Sequence, residues 1–186
     1  MNYQITYEME EYDPELDQML FYLPIVGSSF KKVYFDPSLQ RAVSKFVHAE
    51  DLIVPYNATD LKTSTRICHV IRMDSNEIRK LQLSGFYKDI ELPTSDSDGA
   101  NYDEVRETIK DIEGIHSESS YNEELTLYEI HTDLDLPGFE DMNQMGEATG
   151  LKMPYIVTIL EKSGEVLSIK RNFNEADPLR SKIPYF

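Results

Sequence analysis

Acid–base or metal chemistry would be sought first in the stretch YEIHTDLDL, residues 128–136. In an extended strand alternate side chains share a face, so Glu129, His131, Asp133 and, one step on, Asp135 would line one side. An imidazole flanked by carboxylates is a donor set that suits a divalent cation. The plainer reading is the solvated face of a half-buried strand whose inner face holds Tyr128, Ile130 and Leu134. A catalytic zinc needs further ligands and a supporting outer shell. The sequence supplies no assignable partners, so no metal ligand, cofactor site or catalytic residue is assigned.

The other candidates are weaker. TSDSDGANYDE, residues 94–104, resembles a calcium loop, but with Gly99 as the turn glycine the bidentate glutamate position falls on Val105. It reads as a flexible acidic linker. DLDLPGFED, residues 133–141, carries four carboxylates and reads as a solvated acidic loop. Cys68 and His69 are adjacent, but neighbours on a strand point to opposite faces. Cys68 reads as a small core residue. The phosphate-loop, dinucleotide, zinc-protease and nucleophile-elbow motifs are all absent from the sequence. The expectation is a chain that is not an enzyme.

Charge narrows the partners. Net charge is −16, from 34 acidic and 18 basic residues. Between Glu91 and Glu147 there are 17 acidic residues against Arg106 and Lys110, so this stretch carries nearly all of the excess. Sequence-independent nucleic-acid binding needs basic side chains that displace phosphate counterions, and this field would repel DNA. A single cysteine, Cys68, excludes an internal disulfide and suits a reducing compartment. No apolar run approaches a bilayer span, and MNYQITYEMEEYD has neither the basic flank nor the apolar core of a secretion signal.

The elements that would position these residues follow from periodicity. Ile5, Met9, Tyr12, Leu16, Met19, Leu20 and Leu23 recur at helical spacing. Asp13 is the expected N-cap, with Pro14 in the first turn and Pro24 and Gly27 ending the helical region. Phe30–Phe35 and Arg41–Val47 predict a hairpin around a turn at 36–38, and residues 52–55 a short strand. Thr65–Met73 predicts a strand with Ile67, His69 and Ile71 on one face and Cys68, Val70 and Arg72 on the other. Asp74 through Glu77 resembles a capping box opening a helix that stops at Gly85. A second short helix is expected from about Tyr102 to Glu113, with residues 116–124 mobile. Leu125–Leu134 predicts a strand. Tyr155–Leu160 and Val166–Arg171 predict a second hairpin turned at Gly164. The expected fold class is α+β: a mostly antiparallel sheet with hairpins, flanked by N-terminal helices and two short helices. Residues 1–92 would hold the helical N-terminus, hairpin and strands. Residues 93–124 would form an acidic linker and helix inserted into the domain. Residues 125–186 would return to the same domain with a strand, acidic loop and hairpin.

Four stretches, taken in order, resemble a known family. They are LFYLPIVGSSFKKVYFDPSLQRAVSKFVHAEDLIVPYNATDL (20–61), RICHVIRMDSNEIRKLQLSGFYKDIEL (66–92), YEIHTDLDLPGFED (128–141) and PYIVTILEKSGEVLSIKRNF (154–173). The chain resembles the head-to-tail portal proteins of tailed bacteriophages, in a family of short-tailed phages and prophages. The resemblance is most specific over 20–92, and His48 stands where the family pattern usually has proline. It implies a structural subunit of a ring at one capsid vertex, usually of twelve copies, through which DNA is packaged and ejected. Its implied partners are other portal subunits, terminase, a head-to-tail adaptor and capsid proteins. DNA would pass without sequence-specific binding, no membrane is involved, and the location is the virion, assembled in the host cytoplasm. The chain is shorter than family members and lacks their stem, clip and tunnel loop. It is expected to be an internal fragment resembling the wing region, with Lys31 and Lys32 on the rim of the first strand. The rival expectations are a metal-binding or hydrolytic module on the Glu129–His131–Asp133 face, and an acidic adaptor for a basic partner.

Overall fold

The computed structural model describes residues 3–36, 39–93, 124–142, 145–174, 176–177 and 180–186. The expected acidic linker at 94–104, the helix at 102–113, His116 and most of the 93–124 insert lie outside them.

The fold is α+β, with two antiparallel sheets. Helix α1 spans Tyr12–Val26, preceded by a π-helical turn at Gln4–Glu8. Strands β1 (Phe30–Asp36) and β2 (Arg41–Val47) form a separate hairpin. Strands β3 (Leu52–Ile53), β4 (Arg66–Asp74), β5 (Glu124–Leu134), β6 (Met153–Leu160) and β7 (Val166–Arg171) form a sheet in chain order. Helix α2, Ser75–Leu83, follows β4 directly.

The helix boundaries differ from expectation in instructive ways. The N-cap position of α1 is Glu11, and Asp13 and Pro14 sit inside the first turn. Glu11 is drawn to Arg41 of β2, with both carboxylate oxygens 2.7 and 2.8 Å from Arg41 Nη1, so tertiary pairing supersedes local capping. Pro24 lies within the helix, and Gly27, at φ 84°, closes it. Asp74 stands at the N-cap of α2, but its side chain makes no capping bond.

The five-stranded sheet buries residues on both faces. On the deeper face, Ile78 of α2 packs with Tyr87, Leu125, Leu127, Leu160 and Leu167. A bulge opposite Thr158 and Ile159 leaves Leu167 without a cross-strand partner and lets it join this cluster. The hairpin covers the other half of the same face, where Val47, Leu52 and Ile67 pack with Phe30, Leu61 and Phe186. On the opposite face, Met153, Tyr155 and Val157 pack with Leu134, Leu136 and Phe173. Alternation along β6 therefore disappears, as expected for a strand buried on both sides.

Helix α1 lies on the hairpin. The Glu15 carboxylate accepts a hydrogen bond from the Phe46 amide at 2.6 Å. The Tyr22 ring stacks on Phe46, centroids 5.7 Å apart, and meets His48 edge-on at 4.8 Å. His48 thus joins the helix to the end of β2. No residue of α1 is buried, and Leu20, Phe21, Ile25 and Val26 are exposed.

Candidate functional site

The register of β5 carries Glu129 and His131 to the buried side of the sheet. Leu125, Leu127 and His131 share parity and are almost completely buried. The face expected to be solvated is therefore the deep one. The reason is hairpin packing: β1 and β2 cover the half of the face that α2 leaves open. Tyr128 and Ile130 lie on the other side, half-buried, and the Tyr128 hydroxyl donates to Glu161 at 2.6 Å. That bond, then burial, pushes the Tyr128 hydroxyl up to about 12.

At the centre of the hairpin–sheet interface four polar side chains meet. Lys32 Nζ donates to Glu129 Oε1 at 2.6 Å. The same oxygen lies 2.8 Å from His131 Nε2. Lys32 Nζ also lies 3.4 Å from Nδ1 of His69, which is the cross-strand partner of Glu129. The aromatic rings of Tyr185 and Phe186 close the cluster, 5.3 and 5.5 Å from the His131 ring centroid.

The electrostatics are those of a paired charge rather than a primed catalyst. Burial alone would raise Glu129, but the His131 hydrogen bond and the Lys32 charge outweigh it and hold the carboxyl down at about 2. His69 is lowered to about 4, first by burial and then by the Lys32 ammonium. His69 is therefore neutral at pH 7. A general base poised near neutrality would have the opposite arrangement, with an ionisation close to the working pH.

Metal ligation fares no better. The Lys32 ammonium already occupies the space facing Glu129 and His69, and it is a cation that cannot be a ligand. Asp133 and Asp135 are exposed at the strand end, away from the cluster's ion pairs. Among the described residues, no group of three or more histidine, cysteine or carboxylate side chains could hold a metal ion. Sequence reasoning brought Glu129 and His131 together correctly and missed Lys32, which lies 97 positions earlier in the chain. Lys32 is not on a rim: it is 8% exposed, while Lys31 sits over the Tyr12 ring with Nζ 3.7 Å from its centroid. The available signal was parity, since adjacent lysines on a strand must point to opposite faces.

Cys68 and His69 diverge to opposite faces, as their adjacency requires. Burial pushes the Cys68 thiol up, which opposes nucleophilic use. A cavity of about 180 Å³ beside His131 is lined by Leu61, Ile67, Lys182, Tyr185 and Phe186, so its walls are mostly apolar. A wider open groove by α2 has Arg79 bonded to Asp89 across it and brings no acid–base pair together. No helix of the described residues is long and apolar enough to cross a membrane. No protein-family model matches the chain, and no curated protein matches it.

Proposed function

We propose that this chain is a structural part of a bacteriophage portal subunit, resembling the wing region, and that it serves assembly rather than chemistry. The observation that carries this reading is the ordered resemblance over residues 20–92. That stretch contains the β1–β2 hairpin on which the reading depends. Two further features support it. The polar cluster most suited to chemistry is consumed in joining the hairpin to the sheet. Large apolar side chains of α1 and the hairpin, among them Phe21, Ile25, Val33 and Phe35, remain exposed, as they would on a subunit that packs against others. In this reading the acidic excess keeps passing DNA from adhering.

The test is negative-stain electron microscopy of the protein expressed from its complete native reading frame. Rings with a central hole are expected. Small monomeric particles would overturn the portal reading. If such particles also bound zinc or manganese tightly by calorimetry, the Glu129–His131 face would become the functional site.

A further inference from the structure

The hairpin and the five-stranded sheet are separate sheets, and residues 182–186 span the seam between them. At one end the segment is fastened to the sheet's margin. Lys182 pairs with Phe173, and the Ile183 amide donates to the Asn172 carbonyl at 3.0 Å. Lys182 Nζ also donates to the Ser64 carbonyl at 3.1 Å. At the other end it is fastened to the hairpin, where the Val33 amide of β1 donates to the Tyr185 carbonyl at 2.8 Å. Between these points, Phe186 packs with Val47 of the hairpin and with Leu52 and Ile67 of the sheet. Its ring also faces His69 and His131.

The two sides of the seam are bound unequally. Helix α1 and the hairpin are tied to each other by Glu11–Arg41, by Glu15 on the Phe46 amide, and by Tyr22 on Phe46 and His48. The sheet is tied to itself by the long β4–β5–β6 ladders. Among the described residues, the bonds across the seam include the Lys32–Glu129 pair, the longer Lys32–His69 contact, the small cluster around Phe186, and the segment itself. Asn172, at the segment's root, is 1% exposed, yet among the described residues neither its side-chain nitrogen nor its oxygen has a partner. A buried amide without partners costs free energy that water recovers on opening.

We propose that residues 182–186 are a clasp: docked, they hold the α1–hairpin unit on the sheet, and their release frees that unit as one body while the sheet stays folded. Opening would wet Asn172 and expose the Lys32, His69, Glu129 and His131 cluster together. The hinge is the short 3₁₀ turn Ala49–Asp51, anchored on the sheet side by Asp51 and Arg72, 2.8 Å apart. A structural element with two discrete arrangements is what allows a pull or a contact at one place to change another. Here the clasp is the handle and the apolar outer face of α1 and the hairpin is what moves.

Amide hydrogen exchange of the full chain, resolved residue by residue, tests this. In the unaltered protein the amides of Val33 and Ile183 should exchange at a common rate, faster than those of β5 and β6. Phe186→Ala should then speed exchange across residues 30–47 by about tenfold or more, with the amides of 124–134 and 153–160 unchanged. If Phe186→Ala does not fold, Lys182→Ala, which removes only the bond to Ser64, should give the same pattern at smaller amplitude. Val33 exchanging as slowly as the β5 amides would overturn the proposal. So would equal acceleration in every strand, because 182–186 would then be general packing.

Discussion

Lys32 sits almost out of water with its charge directed at Glu129, and the pair's worth depends on both members being present. Removing one leaves the other charge buried without its counter-ion, which costs more than the pair contributes. Lys32→Met should destabilise the fold by about 3 kcal/mol, measured as a lower urea midpoint. Glu129→Gln in the same background should recover part of the loss, since the stranded carboxylate is then neutral. Acid should act on the same cluster. His69 ionises near 4 in the folded chain against an ordinary 6.5, so between those values the unfolded chain binds a proton that the folded chain refuses. Stability should therefore fall as pH drops from 6.5 to 4. Glu129, held at about 2 against an ordinary 4.5, continues the decline below pH 4.5, because protonation again favours the unfolded chain. Thermal melts across this range check it, and His69→Leu should flatten the upper limb. A melting temperature that rises on acidification through that window would contradict the assignment of His69 as neutral.

At the scale of elements, much of the architecture was legible, for identifiable reasons. The β1–β2 and β6–β7 hairpins announce themselves by β-branched and aromatic runs flanking short polar turns, and their pairing is local in sequence. The β4 strand was legible from its alternation, and α2 from its run of helix formers ending at Gly85. What was not legible was which face of β5 is deep. Alternation gives two candidate faces, and the residues that bury one of them, Phe30, Lys32 and Val47 of the hairpin, are distant in the chain. The same distance hid Lys32 as the partner of Glu129. Capping was misjudged at Asp13 because Glu11 answers to Arg41 rather than to its own helix. Of the two residues expected to end α1, Gly27 does so, because its left-handed backbone permits the exit to β1, whereas Pro24 lies inside the helix. Its φ of 84° is costly for any residue with a Cβ, although no atom stands within 4 Å of where that Cβ would be. Gly27→Ala should therefore destabilise by about 1 kcal/mol through backbone strain alone, seen as a lower melting temperature with an unchanged circular dichroism spectrum.

Across the whole molecule, the pairing of Asp74 with Glu124 at the end of the β4–β5 ladder brings together two positions far apart in the chain. The chain therefore leaves the sheet after Asp74 and re-enters it at the very place it left. The separation of the two strands is fixed by their ladder and not by the length of what joins them. The conformational cost of closing such a loop grows only logarithmically with its length, by about 0.6 kcal/mol for each doubling. Ile78 and Tyr87 are buried in the core, with Leu81, Ile90 and Leu92 packed against it, but the sheet places no demand on how many residues follow Leu92 before Glu124. Insertions, deletions or charge changes in that interval are thus expected to keep the same sheet. What such changes would alter is the search by which β4 finds β5 during folding, making the interval a control on the time of assembly more than on its outcome.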